Sequence, residues 1–297
     1  MRYGFLIDQH RCIGCHACTV ACKEEHDIAV GVNRTWVKYV EKGQYPDTRR
    51  HFAVLRCNHC DDAPCIEICP TVSLFRRADG IVDFDNERCI GCKSCMQACP
   101  YDALYIDPER NTVAKCNFDA SRVEMGYKPA CEVVCPTQAI LSGDLDDPNS
   151  MISKRIAMEK VSVRKAEKGT KPKLFYAGVD GDLLNPTMME PQAAHFWSDK
   201  DPGEDLYALR KNSDRPTPGA AREVYDVPHR TPWGKKIASY LWTKSISTGV
   251  LLISALLLNM GFEQDGILLS VFGPVMSLLF LTATMVLLVL DLKKPGR

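Results

Sequence analysis

Cys89-Ile90-Gly91-Cys92-Lys93-Ser94-Cys95-Met96-Gln97-Ala98-Cys99-Pro100 decides the reading of this chain. Three thiols at successive two-residue gaps can curl round one metal cluster, while a fourth, three residues on and followed by proline, points at a neighbouring cluster. One such run therefore predicts a second. It lies upstream at Cys12-Ile13-Gly14-Cys15-His16-Ala17-Cys18-Thr19-Val20-Ala21-Cys22, with the same Ile-Gly between its first two thiols. Between them sits Cys57-x2-Cys60-x4-Cys65-x3-Cys69-Pro70, with two residues added to the middle gap. The last is Cys116-x2-Asp119-x11-Cys131-x3-Cys135-Pro136, where an aspartate occupies the position at which the spacing asks for a sixteenth thiol. In chain order these are groups one to four.

Fifteen cysteines in 297 residues would suit a disulfide scaffold only in a small secreted chain. The odd count and the Cys-x2-Cys clustering point to metal instead. Zinc sites take their ligands as two separated pairs, whereas successive two-residue gaps ending before proline suit an iron-sulfur cube. Lys plus Arg equals Asp plus Glu at 37 each, so the charge balance gives no sign of a nucleic-acid partner. With 45% hydrophobic residues the chain has material for a real core and for two domains. No nucleophile and base pair, phosphate loop or open metal site stands out, so any catalysis is expected in partner subunits.

The groups are separated by strand signals. Met1 to Asp8 reads as a short strand leading into group one, and because it lacks a basic n-region, an apolar h-region and twin arginines, no export signal is expected. Trp36 to Val40 and Phe52 to Arg56 flank the turn-rich Lys42 to Asp47. Leu74 to Arg77 and Ile81 to Phe84 flank Ala78-Asp79-Gly80, and Leu104 to Ile106 and Thr112 to Ala114 flank Asp107 to Asn111. Each hairpin delivers the next group. Group three starts 89 − 12 = 77 residues after group one, and group four 116 − 57 = 59 after group two, as two copies of a two-cluster unit would. The expected fold is α+β: a tandem, pseudo-twofold ferredoxin-like domain over residues 1–160.

Residues 161–236 turn polar and proline-punctuated, as in Asp214-Arg215-Pro216-Thr217-Pro218-Gly219, and are expected to be an irregular covering extension. Residues 237–297 read as a transmembrane helical hairpin, with uncharged apolar spans at about 245–262 and 267–290 and a tight turn at Gly261 to Gly266. Arg230, Lys235, Lys236 and Lys244 precede the first span, and Lys293, Lys294 and Arg297 follow the second. The positive-inside rule puts both ends, and with them the cysteine-rich domain, on the cytoplasmic side of the inner membrane.

If the last thiol of each group crosses to its partner's cluster, the pairing of groups fixes the ligand sets. Pairing two with three and one with four gives nested sets, pairing one with two gives another arrangement, and spacing alone leaves both open. Four such groups in this order, with the insertion between Asp119 and Cys131, resemble the iron-sulfur subunits of the molybdopterin oxidoreductase family, the type found in dimethyl sulfoxide, polysulfide and formate enzymes, over about residues 1–180. The resemblance implies the nested pairing. One cluster then takes Cys12, Cys15, Cys18 and Cys135, and a second Cys22, Cys116, Asp119 and Cys131. A third takes Cys57, Cys60, Cys65 and Cys99, and a fourth Cys69, Cys89, Cys92 and Cys95. It also implies a relay of electrons between a catalytic molybdopterin subunit and a multi-helix quinone-binding membrane subunit, in contact with lipid. Pro232-Trp233-Gly234 before the first span is similar to the opening of those quinone-binding subunits. Two other expectations compete: a hairpin that itself helps form a quinone site, and a membrane-anchored polyferredoxin serving several partners.

A carboxylate is a harder ligand than a thiolate, so three [4Fe-4S] clusters are expected beside a fourth at Asp119 that is [4Fe-4S] or [3Fe-4S]; the bland reading of Asp119 is a solvent-facing side chain. Arg11, Arg56, Arg88 and Lys115 each directly precede the first cysteine of a group, where a fixed cation would favour the reduced cluster and raise its potential. The bland reading for these four is a solvated or salt-bridged side chain. His16, His26 and His59 are read as neighbours of the ligands or surface residues.

Overall fold

The computed structural model describes residues 1–44, 46–179, 181–184, 189–190, 221–227, 234–260 and 268–293. In chain order, β1 (Tyr3–Asp8) runs into α1 (Ala17–Glu25), which carries Cys18 and Cys22. β2 (Thr35–Gln44) and β3 (Asp47–Arg56) form one long antiparallel hairpin, with Trp36 opposite Leu55 and Val40 opposite His51. Then follow α2 (Pro64–Glu67), the short hairpin of β4 (Leu74–Arg76) and β5 (Val82–Phe84), and α3 (Ser94–Ala98). β6 (Leu104–Ile106) and β7 (Val113–Lys115) make a third hairpin before α4 (Ala120–Glu124) and α5 (Ala130–Val133). All three hairpins stand where the turn residues predict them.

β8 (Ile140–Asp144) returns antiparallel to β1, Ile140 opposite Ile7, and α6 (Met151–Met158) packs beneath it, capped by Ser150, whose hydroxyl accepts from the Ser153 amide. The region expected as an irregular extension from residue 161 is corrected here. β9 (Val161–Ser162) and β10 (Leu174–Ala177) enter the main sheet, and β10 lies parallel to β1, Phe5 opposite Leu174. The order is β8-β1-β10-β9. A strand of Leu-Phe-Tyr-Ala is too short to show a period, but its burial is complete enough to make it core: Leu174 and Tyr176 have no exposed surface. After α7 (Gly181–Leu184), β11 (Met189–Glu190) and β12 (Ala221–Tyr225) extend the long hairpin to the order β11-β12-β2-β3. The proline-rich Asp214 to Gly219 lies outside the described residues.

Alternation along β1 divides the core. Phe5 and Ile7, with Leu174 and Tyr176, face the cysteine-lined interior, while Leu6 and Ala177 turn to the other side and bury Ile152 of α6. The Tyr176 hydroxyl, buried with the ring, donates to the Val54 carbonyl at 3.0 Å and ties this sheet to the long hairpin.

The cysteine groups share a backbone signature. The residue between the first and second thiol of groups one and three is a glycine at positive φ, Gly14 (71°) and Gly91 (66°), and the next turn is entered through His16 (60°) and Lys93 (66°). Groups two and four have His59 (45°) and Phe118 (64°) at matching places, and Val72 (52°), Asp102 (54°) and Gln138 (51°) each stand three residues after the last thiol of groups two, three and four. At Gly14 no side chain fits: a Cβ would come within 2.3 Å of the Phe52 ring.

The protein ends in two helices, α8 (Lys235–Asn259) and α9 (Gly273–Asp291), the latter preceded by a π-helical turn at Leu268–Phe272. α8 begins ten residues before the apolar span expected from about 245, because Lys235, Lys236 and Lys244 interrupt the hydrophobicity but not the helix. Residues 261–267, with the expected Gly261 to Gly266 turn, and Arg230, Pro232, Trp233, Lys294 and Arg297 lie outside the described residues. The helices pack through small polar groups: Thr243 and Thr284 hydroxyls meet at 2.8 Å, and Ser247 donates to the Ser277 carbonyl at 2.8 Å. Leu252, Ile253, Leu278, Leu279 and Val286 are among the side chains that point outward.

Candidate iron-sulfur centres

The left-handed residues do local electrostatic work. By turning the chain just after a group's last thiol, they aim amides back at its sulfur: Thr71, Ser73 and Leu74 at Cys69, and Tyr101, Asp102 and Ala103 at Cys99. The Ala139 amide lies 3.2 Å from Cys135 Sγ. Val72, a β-branched residue in a conformation such residues avoid, is held there by this turn. At Cys69 burial opposes the thiolate, yet the amides and the Thr71 hydroxyl outweigh it and lower the pKa.

Four sets of side chains converge. Cys12, Cys15, Cys18 and Cys135 line one small cavity with Val37, Val54 and Ile140. Cys69, Cys89, Cys92 and Cys95 line another with Leu74 and Val113. Cys22 has Cys116, Cys131 and Asp119 as its charged neighbours, and Cys65 has Cys57, Cys99 and Cys60. The sets also adjoin one another in a row. Cys18 of the first neighbours Cys131 of the second, Cys116 of the second neighbours Cys57 of the third, and Cys65 of the third neighbours Cys95 of the fourth. At one end of the row Cys15 is exposed. At the other, Lys93, between Cys92 and Cys95, binds Asp291 at the end of α9 at 3.0 Å.

Burial, the largest influence on most of these thiols, pushes Cys12, Cys18 and Cys131 up to about 11 and Cys60 and Cys65 up to about 12. Neighbouring sulfurs contribute to the rise. Deprotonated sulfurs packed this closely need a cation among them. Two buried cations sit there without carboxylate partners among the described residues. Arg56 has no exposed surface; its Nη1 donates to Cys131 Sγ at 3.0 Å, its guanidinium lies 4.5 Å from the Phe5 ring centroid, and its Nε and Nη2 have no hydrogen-bond partner among the described residues. Burial alone would lower its pKa, but the sulfurs of Cys131, Cys116 and Cys18 outweigh that and raise it. Lys115 is as deeply buried, donating to the Val82 carbonyl and, at 2.9 Å, to the Cys116 carbonyl. Thiols gathered in fours round small cavities, with backbone amides aimed at sulfur and an orphaned guanidinium among them, fit an anionic metal-sulfur cluster and do not fit an apolar core.

One expectation is corrected, at Arg11 and Arg88, and one alternative is removed, at Asp119. Arg11 and Arg88 do not reach the sulfurs; they are 55% and 63% exposed and pair with Asp8 at 3.5 Å and Asp85 at 3.2 Å, three residues away on the same turn. Water screens such charges, and of the four cations only Arg56 and Lys115 are buried beside the sulfurs. Asp119 does not face solvent: it is 3% exposed, with Oδ1 2.5 Å from His26 Nε2 and Oδ2 accepting from the Ala130 amide at 2.7 Å. Burial works against its charge, but His26, the Ala130 amide and Arg56 together hold its pKa below the usual carboxylate range.

The histidines divide. His59 is fully buried, accepts from the Val82 amide through Nδ1 at 3.2 Å, and is kept neutral first by burial and then by Lys115, Lys173 and Arg56. His16 Nε2 lies 2.7 Å from the Tyr39 hydroxyl, which itself donates to the Gly14 carbonyl. The pairing of His26 with Asp119, 93 residues apart, had no signal in the sequence.

The 4Fe-4S dicluster domain family matches residues 48–145, and a 4Fe-4S binding domain family matches residues 9–31. A tetrathionate reductase subunit of Salmonella typhimurium is 42% identical over 202 residues, 67% of this chain and 80% of that protein. This protein belongs to the iron-sulfur subunits of the molybdopterin-type reductases. Within that family, a polysulfide reductase chain of Wolinella succinogenes is 42% identical over 179 residues, 59% of this chain and 93% of its own. A putative dimethyl sulfoxide reductase iron-sulfur subunit of Halobacterium salinarum is 34% identical over 262 residues, 77% of this chain and 96% of its own.

Proposed function

We propose that this iron-sulfur subunit carries electrons along four clusters between a catalytic molybdopterin subunit and a quinone-reactive membrane subunit. Membership of the family carries the general role, and the row of four side-chain sets supports the particular path. The first cluster is held by Cys12, Cys15, Cys18 and Cys135, the second by Cys22, Cys116, Cys131 and Asp119, the third by Cys57, Cys60, Cys65 and Cys99, and the fourth by Cys69, Cys89, Cys92 and Cys95. The nested convergence of Cys135 with group one and Cys99 with group two, rather than one-with-two pairing, favours this assignment. Bound there, the clusters supply one-electron transfer; the protein holds them, buries all four ligands of the second set, and sets their relative potentials through buried cations.

The second centre is the departure. Asp119 brings a carboxylate whose two oxygens are already engaged, Oδ1 with His26 Nε2 and Oδ2 with the Ala130 amide, so one iron there is held less firmly, and the centre is [3Fe-4S] or an oxygen-ligated [4Fe-4S]. The recurring positive-φ positions support a tandem, pseudo-twofold origin for residues 1–160, with β9 and β10 added to complete its sheet.

α8 and α9 span the bilayer in this reading. Each is long and apolar enough, with mean hydropathies of 1.6 and 2.2. Serines and threonines lie between them while leucine, isoleucine and valine face out, the reverse of a helix pair in water and the pattern expected in lipid or against partner helices. Lys235, Lys236 and Lys293 at the outer ends support a cytoplasmic position for the cluster domain by the positive-inside rule.

Iron quantification with low-temperature electron paramagnetic resonance of the purified full chain tests the assignment. About 15 or 16 irons per chain are expected, 15 if the second centre has three. Zinc in place of iron, or fewer than four spectroscopically distinct centres after full reconstitution, overturns it.

A further inference from the structure

The connection between β9 and β10 closes over the third thiol set. Main-chain bonds pin it there: the Thr170 and Lys171 carbonyls accept from the Asp62 and Asp61 amides at 3.1 and 3.0 Å, and the Lys173 amide donates to the Asn58 carbonyl at 2.8 Å. Asn58, Asp61 and Asp62 flank Cys60, so the connection is held against group two whatever side chain stands at position 170. Lys165 grips the other contributor to the set, its Nζ donating to the carbonyl of Pro100, the residue after Cys99. Inside that clamp two buried hydroxyls run in series to a sulfur. Those of Tyr101 and Thr170 are 2.6 Å apart, and the Thr170 hydroxyl is in turn hydrogen-bonded to Cys60.

We propose that Thr170, oriented by Tyr101, is a positioning residue of the relay: its hydroxyl takes up part of the charge on Cys60 and holds the third centre at a higher potential than its thiolates alone would give. The direction of the chain follows from proton counting. Each hydroxyl has one proton and a metal-bound Cys60 has none, so the proton in the bond to sulfur belongs to Thr170, which must then accept from Tyr101. The phenol remains a donor, because burial pushes its pKa up to about 12. The buried Arg164 guanidinium lies 5.9 Å from the centroid of the Tyr101 ring, a cation that draws charge off the phenol and strengthens it as a donor. A donor on sulfur stabilises the more negative, reduced cluster more than the oxidised one. Cys69 and Cys135 have a threonine hydroxyl too, Thr71 and Thr137 at 3.8 Å, but among the described residues neither is backed by a second hydroxyl. The inference rests on the cluster assignment proposed above, in which Cys60 is a ligand of the third centre.

The test is potentiometric titration of the full, iron-loaded chain followed by electron paramagnetic resonance, with iron counted on the same samples. Thr170→Val keeps the shape of the side chain and removes its hydroxyl; it should lower the reduction equilibrium constant of one centre about tenfold, about 59 mV for one electron, and leave the other three in place. Tyr101→Phe leaves Thr170 on the sulfur without its own donor and should lower the same midpoint by less, about threefold, while Thr170→Ser should restore it. Pulsed electron-nuclear double resonance of the reduced centre, in light against heavy water, should show an exchangeable proton coupling that Thr170→Val loses and Thr170→Ser keeps, a signature that a packing role would not produce. Where Thr170→Val loses the third centre altogether, Tyr101→Phe carries the test. A full complement of iron with that midpoint unmoved in the Val and Phe variants, an equal shift of all four centres, or a Ser variant as low as the Val variant overturns the proposal and leaves the cluster assignment standing. Fewer than four centres in the unsubstituted chain overturns both.

Discussion

Removing the charge of Arg56 should lower the potential of the second centre most and leave the fourth alone. The guanidinium is buried without a carboxylate partner among the described residues, and its Nη1 is 3.0 Å from Cys131 Sγ. Taking about 6 Å, twice that contact, from the cation to the centre of the added electron, and an effective dielectric of about 20, the attraction is 332/(20 × 6), or about 3 kcal/mol. One tenfold change in equilibrium is about 1.4 kcal/mol and, for one electron, about 59 mV, so Arg56→Gln should move the midpoint down by about 120 mV. The first centre, reached through Cys18, should move in the same direction by less. Arg56→Lys keeps the charge and should restore most of the shift. Arg88→Gln, removing an exposed charge paired to Asp85, should change no midpoint by more than about 20 mV. Potentiometric titration followed by electron paramagnetic resonance reads all three. If Arg56→Gln and Arg88→Gln shift the second centre equally, burial is not what gives Arg56 its influence, and the reasoning fails.

Replacing Asp119 with cysteine should convert the second centre to an all-thiolate cube with one more tightly held iron, whereas Asp119→Ala should yield a [3Fe-4S] signal in the oxidised protein; unchanged iron content and spectra in both variants would show that Asp119 is not at the cluster. Ile152→Ala empties a site with no exposed surface between α6 and the main sheet and should cost about 2–5 kcal/mol, seen as a melting temperature lower by about 5–15 °C. Asp8, nearly buried and bonded to Arg155 at 2.8 Å, has a pKa below its ordinary value because that cation and two backbone amides outweigh burial. Its contribution is therefore present at neutral pH and lost as the pH falls through the lowered value, so Asp8→Asn should narrow the stability difference between pH 7 and pH 3 in thermal scans, and an unchanged difference would refute the pairing.

Sulfur spacing made the centres legible because cluster ligation constrains local sequence: a turn of fixed length must present thiols at fixed intervals, and the glycine between them records the backbone that does so. The three hairpins were legible for a similar reason, since Asp-Gly and Asp-Pro turns are local chemistry. What the sequence hid was nonlocal. β10 carries only four residues and its place beside β1, about 170 residues upstream, depends on a pairing that no short pattern encodes. The distinction among Arg11, Arg56, Arg88 and Lys115 was equally invisible, because all four hold the same position relative to a cysteine. Arg56 and Lys115 end strands, β3 and β7, that run through the core, so their side chains have nowhere to go but inward; Arg11 and Arg88 stand in loops beside aspartates that draw them out.

That difference organises the whole relay. On the proposed assignment of four anionic centres in a row, repulsion accumulates unless cations are built between them, and a cation placed at the surface is screened away. Strands β3 and β7 solve this by delivering one cation each to the interior, Arg56 between the first and second sets and Lys115 beside the third, where Cys57 and Cys65 feel it. The fourth set has neither. Its nearest cation, Lys93, is tied to Asp291 of α9 and so is largely neutralised. The end of the row at the hairpin is therefore the one with least electrostatic support for reduction, and the end with Cys15 at the surface has Arg56 behind it. On the proposed assignment, buried charge by itself would make the first set easier to reduce than the fourth. Asp291→Asn, which frees the Lys93 charge, should raise the fourth midpoint alone and flatten that slope; a uniform shift of all four, or none, would refute a gradient set by buried charge.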